Sequence, residues 1–256
     1  MADDTPVLTE ARDATLLITL NRPDARNAVN RELAEALAAA LDELDSTPEL
    51  AVGVLTGAGK GFSAGMDLKA FLAGGMPAVA GRGFAGLTER PSRKPLIAAV
   101  EGFALAGGLE IALACDLIVA ARGARLGIPE PGVGLFAAAG ALLRLPQRIP
   151  YGVAMEMALT ADPINAERAY ELGLVNHVAE PGEAVGAALE LAARVARNAP
   201  LALAASKEVI RETHGRTEAE FWDYQRDLVR SVFSSEDAQE GATAFAEKRA
   251  PVWKGK

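Results

Sequence analysis

Cysteine and histidine are almost missing from this 256-residue chain, which holds one Cys, Cys115, and two His, His177 and His214. A single cysteine excludes an intrachain disulfide framework and a zinc site built on paired thiolates. Its neighbours, Ile111-Ala-Leu-Ala-Cys115, mark it as a small core side chain. Basic residues are also in deficit, 26 Lys and Arg against 34 Asp and Glu, for a formal net charge of −8. Nucleic-acid partners are thereby disfavoured, because binding a phosphate backbone rests on clustered cations. The chain opens Met-Ala-Asp-Asp-Thr-Pro, without a basic segment leading into an apolar one, and this predicts a cytoplasmic protein. One apolar run, residues 95–121, is long enough to cross a bilayer, but Glu101, Glu110, Asp116 and several glycines interrupt it. A buried strand, turn, helix and strand is the expectation there, and no membrane partner.

Half of the residues are hydrophobic, enough for a sizeable core. Residues 15–20 and 51–55 read as buried strands, and between them Leu33, Leu37, Leu41 and Leu44 recur at helical spacing behind Asn30, a good N-cap. Strands follow at 96–100 and 116–120 around a short helix at 109–114. Asn165 starts a helix that Gly173 stops, and 174–178 returns as a strand. After Pro181 the pattern is helical only: 183–197, 201–212, and a helix from Thr217, whose spacing to Glu220 fits a capping box. These patterns predict an α/β core over 1–198 and a helical C-terminal region over 199–256. The glycine-rich stretch 73–83 is the longest irregular one and is expected to line a substrate entrance.

Two motifs invite other chemistries. Gly57-Ala-Gly-Lys60-Gly61 resembles a phosphate loop, but no Ser or Thr follows the lysine, and Val54 stands where the first glycine belongs. Gly61-Phe-Ser63-Ala-Gly65 matches the elbow that exposes a nucleophilic serine. Five residues separate it from the preceding strand, however, and only His177 and His214 could serve as its base. A serine hydrolase using Ser63 is therefore a remote alternative.

At Phe62-Ser-Ala-Gly65-Met66-Asp67 and Gly102-Phe-Ala-Leu-Ala-Gly107-Gly108-Leu-Glu110, glycine follows a buried strand and precedes a helix, a place where main-chain N–H groups are free to bind an anion. Those two segments, with Asn21-Arg-Pro23, Asn27-Ala28, Leu55-Thr-Gly57, Cys115-Asp116, Gly127-Ile-Pro129-Glu130, Ala169-Tyr-Glu-Leu-Gly173 and Phe245-Ala-Glu-Lys248-Arg249, resemble the enoyl-CoA hydratase/isomerase (crotonase) superfamily. The likeness runs in order from about Leu17 to the C-terminus, and the ordered set is far more specific than any one motif.

The resemblance implies a spiral of repeated ββα units with a helical C-terminal trimerisation region, and homotrimers or homohexamers. It implies an acyl-CoA substrate, no metal, and no cofactor beyond the coenzyme A that arrives with the substrate. It places oxyanion donors at the Met66 and Gly107 N–H groups and catalytic carboxyls at Glu110 and Glu130. Around the CoA moiety it places Arg26, Ala64, Asp67, Leu68, Lys69, Phe245 and Lys248, the last two contributed by a neighbouring subunit. Keeping both glutamates implies hydration of a 2-enoyl-CoA. A Δ3,Δ2-enoyl-CoA isomerase, which needs chiefly one carboxylate, and a non-catalytic binding member are the alternatives. The chain departs from the family at Ala106, where a glycine is usual, and over residues 134–145, where proline, extra glycines and a glutamine are usual. That second segment bears on acyl selectivity and on the reaction itself, so the chain length, branching and aromaticity of the acyl group stay open.

Overall fold

In the computed structural model, which describes residues 5–256, the first elements are an antiparallel hairpin, β1 (Val7–Arg12) and β2 (Thr15–Leu20). β1 was not evident in the sequence because it is an edge strand with mostly exposed side chains. Its Glu10 and Arg12 pair at 2.8 Å and keep the edge charged. Residues 1–4, on which the targeting expectation partly rested, lie outside the described residues.

Asn30 caps α1 (Arg31–Ser46) by accepting the Leu33 N–H at 3.0 Å, and the four predicted leucines are buried on one face. The chain returns as β3 (Val52–Gly57), parallel to β2. α2 (Leu68–Leu72) follows, then the two-residue strands β4 (Ala78–Val79) and β5 (Gly83–Phe84). Next come β6 (Leu96–Val100), β7 (Phe103–Leu105), α3 (Gly107–Ala114), β8 (Leu117–Ala121) and β9 (Arg125–Gly127). The order strand, strand, helix is the predicted spiral unit. Within it the first strand joins a six-stranded sheet ordered β1-β2-β3-β6-β8-β11, and the second joins a small sheet. Ser63 pairs with Ala104 of β7 as an isolated bridge, so the segment after β3 repeats the same turn of the spiral.

A 3-10 turn (Glu130–Val133) leads to α4 (Ala141–Arg148), α5 (Tyr151–Thr160), β10 (Ile164–Asn165) and α6 (Ala166–Glu171). β10 completes the small sheet beside β9 and β7. β11 (His177–Ala179) then pairs with β8, beginning later than the predicted 174–178. Leu174 and Val175 are core residues before the strand, and Asn176 opens the pairing by exchanging two hydrogen bonds with Ile118, both 2.8 Å. α7 (Ala184–Ala196), α8 (Pro200–Glu212), α9 (Glu218–Phe233) and α10 (Glu236–Glu247) finish the chain. The Thr217 capping box is formed as expected.

Strands β3, β6 and β8 are buried on both faces, as a parallel sheet requires. One face carries Leu55, Ala98, Val100 and Ile118 and packs with α1 and α3 in the main core. The other carries Leu17, Val52, Val54, Ile97, Ala99 and Val119 and is covered by Ala188, Ala192 and their neighbours on α7. No helix among the described residues is long and apolar enough to cross a membrane.

Candidate active site

Asn27 joins the two loops after β2 and β3. It is fully buried with φ +53, a left-handed conformation that asparagine tolerates better than most residues. Its Nδ2 donates to the carbonyls of Ala58 and Gly61, both at 2.9 Å, and its Oδ1 accepts the Arg22 N–H at 3.0 Å. Its own carbonyl accepts the Ser63 hydroxyl at 2.8 Å, and that hydroxyl accepts the Gly65 N–H at 3.1 Å. Ser63 is thus a buried structural residue. His177 and His214, its only possible bases, are both exposed.

The two glycine turns meet. A Cβ built on Gly65, whose φ is +91, would lie 2.7 Å from the Gly107 nitrogen, so only glycine permits this approach. The Val29 N–H donates to Gly65 O at 2.8 Å and the Asp67 N–H to Val29 O at 2.9 Å, which turns the Met66 N–H away from that bridge. Gly107 is the first residue of α3, where an N–H has no partner within the helix. Among the described residues neither N–H has an acceptor in the chain. Ala106, in the predicted glycine position, sits at φ +52 and ψ −131. Its conformation aims the start of α3 at the cost of a strained non-glycine residue.

Glu110, one turn into α3, is 3 % exposed, and its Oε1 accepts the N–H groups of Ala139 at 2.7 Å and Ala141 at 3.1 Å. Burial raises its pKa above the ordinary carboxylate range, while these two N–H groups and then the charge of Arg144 oppose that rise. Glu130 begins the 3-10 turn, is 9 % exposed, and its Oε2 is buried without a hydrogen-bond partner. Burial pushes its pKa up to about 7, opposed by its own N–H and reinforced by the charge of Glu110. The two carboxyls are therefore near enough to repel, in environments that separate their proton affinities.

Of the residues expected around CoA, Arg26, Ala64, Asp67, Leu68 and Lys69 gather beside these turns. The Ala64 N–H donates to Arg26 O at 3.0 Å. The Asp67 carboxylate caps α2 through the Lys69 and Ala70 N–H groups at 3.1 and 3.2 Å and pairs with Arg22 at 3.0 Å, so it is committed to structure. The side chains of Arg26, Leu68 and Lys69 are exposed beside it. Among the described residues no hydrogen bond or ion pair joins Phe245 or Lys248 to this cluster. Phe245 is 88 % exposed on α10, and Asp237 of that helix is bonded to the N–H groups of Lys254 and Gly255.

Four nearby residues had no role assigned from sequence, although three of them lie in the 134–145 segment. Ala139 and Ala141 act through main-chain N–H groups, which no side-chain pattern reports. Phe84 packs on Gly107 so closely that a Cβ there would be 2.6 Å from its ring. Arg144 reaches Thr88 O and Ala139 O from α4. Among the described residues no group of three or more His, Cys, Asp or Glu has the arrangement of a metal site.

Comparison with known proteins agrees with this architecture. The enoyl-CoA hydratase/isomerase family profile matches residues 10–256. A carnitinyl-CoA dehydratase from Salmonella typhi is 45 % identical over 249 residues, covering 94 % of this chain and 95 % of that protein. The crystal structure of an enoyl-CoA hydratase from Mycobacterium marinum is 56 % identical with a TM-score of 0.97, covering 99 % of this chain and all (100 %) of the other. A carnitinyl-CoA hydratase from Mycobacterium avium is 44 % identical with a TM-score of 0.80, covering 99 % and 100 % respectively.

Proposed function

The chain belongs to the enoyl-CoA hydratase/isomerase family and is a lyase of the hydratase type, and from that premise we propose that it adds water across the double bond of a 2-enoyl-CoA. The observation that carries this reading is the pair of buried carboxyls in unlike environments, one of them on the helix whose first N–H, like that of Met66, has no acceptor among the described residues.

The thioester oxygen accepts hydrogen bonds from the Met66 and Gly107 N–H groups. Electron density drawn onto that oxygen leaves C3 electrophilic, and the enolate-like transition state carries its charge there. Each donor is worth roughly 3 kcal/mol in comparable sites. Glu110 is the base: its carboxylate, steadied by the Ala139 and Ala141 N–H groups, takes a proton from water as the oxygen attacks C3. Glu130, with pKa about 7 and one oxygen unpartnered, holds that water and delivers a proton to C2. The reaction ends as a 3-hydroxyacyl-CoA with both carboxyls ready to exchange protons. In this reading Arg26 and Lys69 contact the CoA phosphates or adenine, and the main chain from Ala64 through Asp67 and Leu68 lines the thioester. Phe245 and Lys248 complete the site from a neighbouring copy in a homotrimer or homohexamer. Support for self-association comes from the large apolar side chains left exposed on α5 and α10, Leu159 at 73 % and Phe245 at 88 %.

Crotonyl-CoA and carnitinyl-CoA, offered to the wild type, Glu110→Gln and Glu130→Gln, test the reading. The conjugated enoyl thioester absorbance should fall with crotonyl-CoA, or rise as carnitinyl-CoA is dehydrated, and each substitution should lower the rate by at least about 100-fold. If neither substrate, nor a panel of short, medium and branched enoyl-CoAs, reacts with the wild type, hydration is the wrong reaction. Isomerisation surviving Glu110→Gln but not Glu130→Gln would favour the isomerase.

A further inference from the structure

Both donors to Glu110 are main-chain N–H groups, so Glu110 is only as well placed as the turn that carries them. That turn has little to fix it locally. Residues 137–139 are three alanines, and Gly140 follows at φ +108. Their side chains supply no hydrogen bond.

Arg144 supplies what they lack. Its Nη1 donates to Ala139 O at 3.3 Å and its Nη2 to Thr88 O at 2.5 Å. The guanidinium folds back over the start of its own helix, and a Cβ on Gly140 would lie 2.1 Å from Nη1, so it fills space that only glycine leaves. Thr88 closes the turn that begins at Phe84, its N–H donating to Phe84 O at 3.2 Å, and the Phe84 ring rests against Gly107. One side chain therefore ties the turn behind Glu110 to the segment that walls Gly107.

Helix stability does not account for this placement. A cation in the first turn of α4 opposes the helix dipole, which favours an acid there. Burial also lowers the pKa of Arg144, and the nearby charges of Arg211 and Arg148 add to that. The titratable groups around the pair are few: Glu110 is faced by Glu130 from the 3-10 turn and by Arg144, while Arg144 is faced by Arg148 of its own helix, Arg211 of α8 and the Cys115 thiol after α3, which burial pushes up to about 12 and so keeps neutral.

We propose that Arg144 is a positioning residue for the reaction: its guanidinium clamps the 139–141 turn, whose N–H groups hold Glu110, to the 84–88 segment. The proposal rests on Glu110 acting as the base. An unbuttressed turn moves Glu110 relative to C3, and displacements of this kind can cost about 100-fold in rate with little effect on binding.

The experiment compares wild type, Arg144→Gln and Arg144→Lys by two readouts. Infrared difference spectra across pH follow the Glu110 carboxyl, identified as the bands lost in Glu110→Gln, and need no substrate. Kinetics with crotonyl-CoA follow kcat and KM separately. In Arg144→Gln the Glu110 bands should titrate at higher pH, because the two N–H groups that favour the carboxylate are no longer held in place, and kcat should fall roughly 10- to 100-fold while KM stays within about threefold. Arg144→Lys keeps the charge but not the forked donor, so it should restore only part of the titration and only part of kcat. Free guanidinium should raise kcat of Arg144→Gln. An Arg144→Gln protein with unchanged Glu110 titration and kcat within threefold of wild type would overturn the proposal. If Arg144→Gln does not fold, Arg144→Lys decides alone, full kcat refuting the clamp. If the wild type hydrates nothing, the proposed reaction fails, while the infrared titration still decides the role of Arg144.

Discussion

Replacing Glu130 by glutamine probes the electrostatics of the site without any substrate. In the folded chain burial, with the charge of Glu110 adding to it, pushes this carboxyl from an ordinary 4.5 up to about 7. Unfolded, it releases its proton near the ordinary value. Between those limits the folded chain holds a proton that the unfolded chain has lost, so stability declines as pH rises through the window and levels off above about 7. The separation sets a ceiling of about 3 kcal/mol on the cost of ionising Glu130, and water at its outer edge reduces this to about 1–2 kcal/mol. Glutamine keeps the shape and cannot ionise. Urea unfolding at one protomer concentration should show the advantage of Glu130→Gln over wild type to be smallest near about pH 5 and larger by about 1–2 kcal/mol near about pH 8. A hydrogen-bond change made by the new amide is a constant offset, so the slope carries the test. A difference that does not vary with pH would refute the reasoning.

Two further substitutions test how the turns are built. Ala106→Gly relieves a residue at φ +52 and ψ −131, and after the extra freedom of an unfolded glycine is subtracted it should gain about 1 kcal/mol in urea unfolding; a loss would show that the position is not strained. Ser63→Ala removes a buried hydroxyl bonded to Asn27 O and the Gly65 N–H and should cost about 1–3 kcal/mol, with the Gly65 N–H left unpaired. A fluorophosphonate should leave Ser63 of the wild type unlabelled, and stoichiometric labelling would restore the serine-hydrolase reading.

What was legible in the sequence was local. The Asn30 cap with its leucine stripe, the Asn165 cap and the Thr217 capping box each lie within a few residues of the partners they bind, and all three formed where expected. α4 and α5 were not legible: Pro146 lies inside one, Pro150 precedes the other, and proline reads as a break although packing holds both helices. α10 buries only Asp237 and Ala244, too little for an apolar stripe. At the site, residue types pointed to Glu110 and Glu130 only through the family likeness, because the nineteen positions between them carry no information on distance. The supports of Glu110 were hidden for a related reason. They are the main chain of two alanines and an arginine 34 positions away from it along the chain, and neither has a signature in composition or period.

The covering of one sheet face by α7 has a consequence for biosynthesis. Leu17, Val52, Val54, Ile97, Ala99 and Val119 all precede residue 120, whereas the helix that covers them begins at Ala184. A ribosome adding about 5–20 residues per second takes several seconds to supply the missing helix, and for that interval the nascent chain presents an adhesive aliphatic surface. Holding chaperones should engage this protein during that interval, and chains truncated before Ala184 should aggregate rather than persist as inactive, soluble fragments.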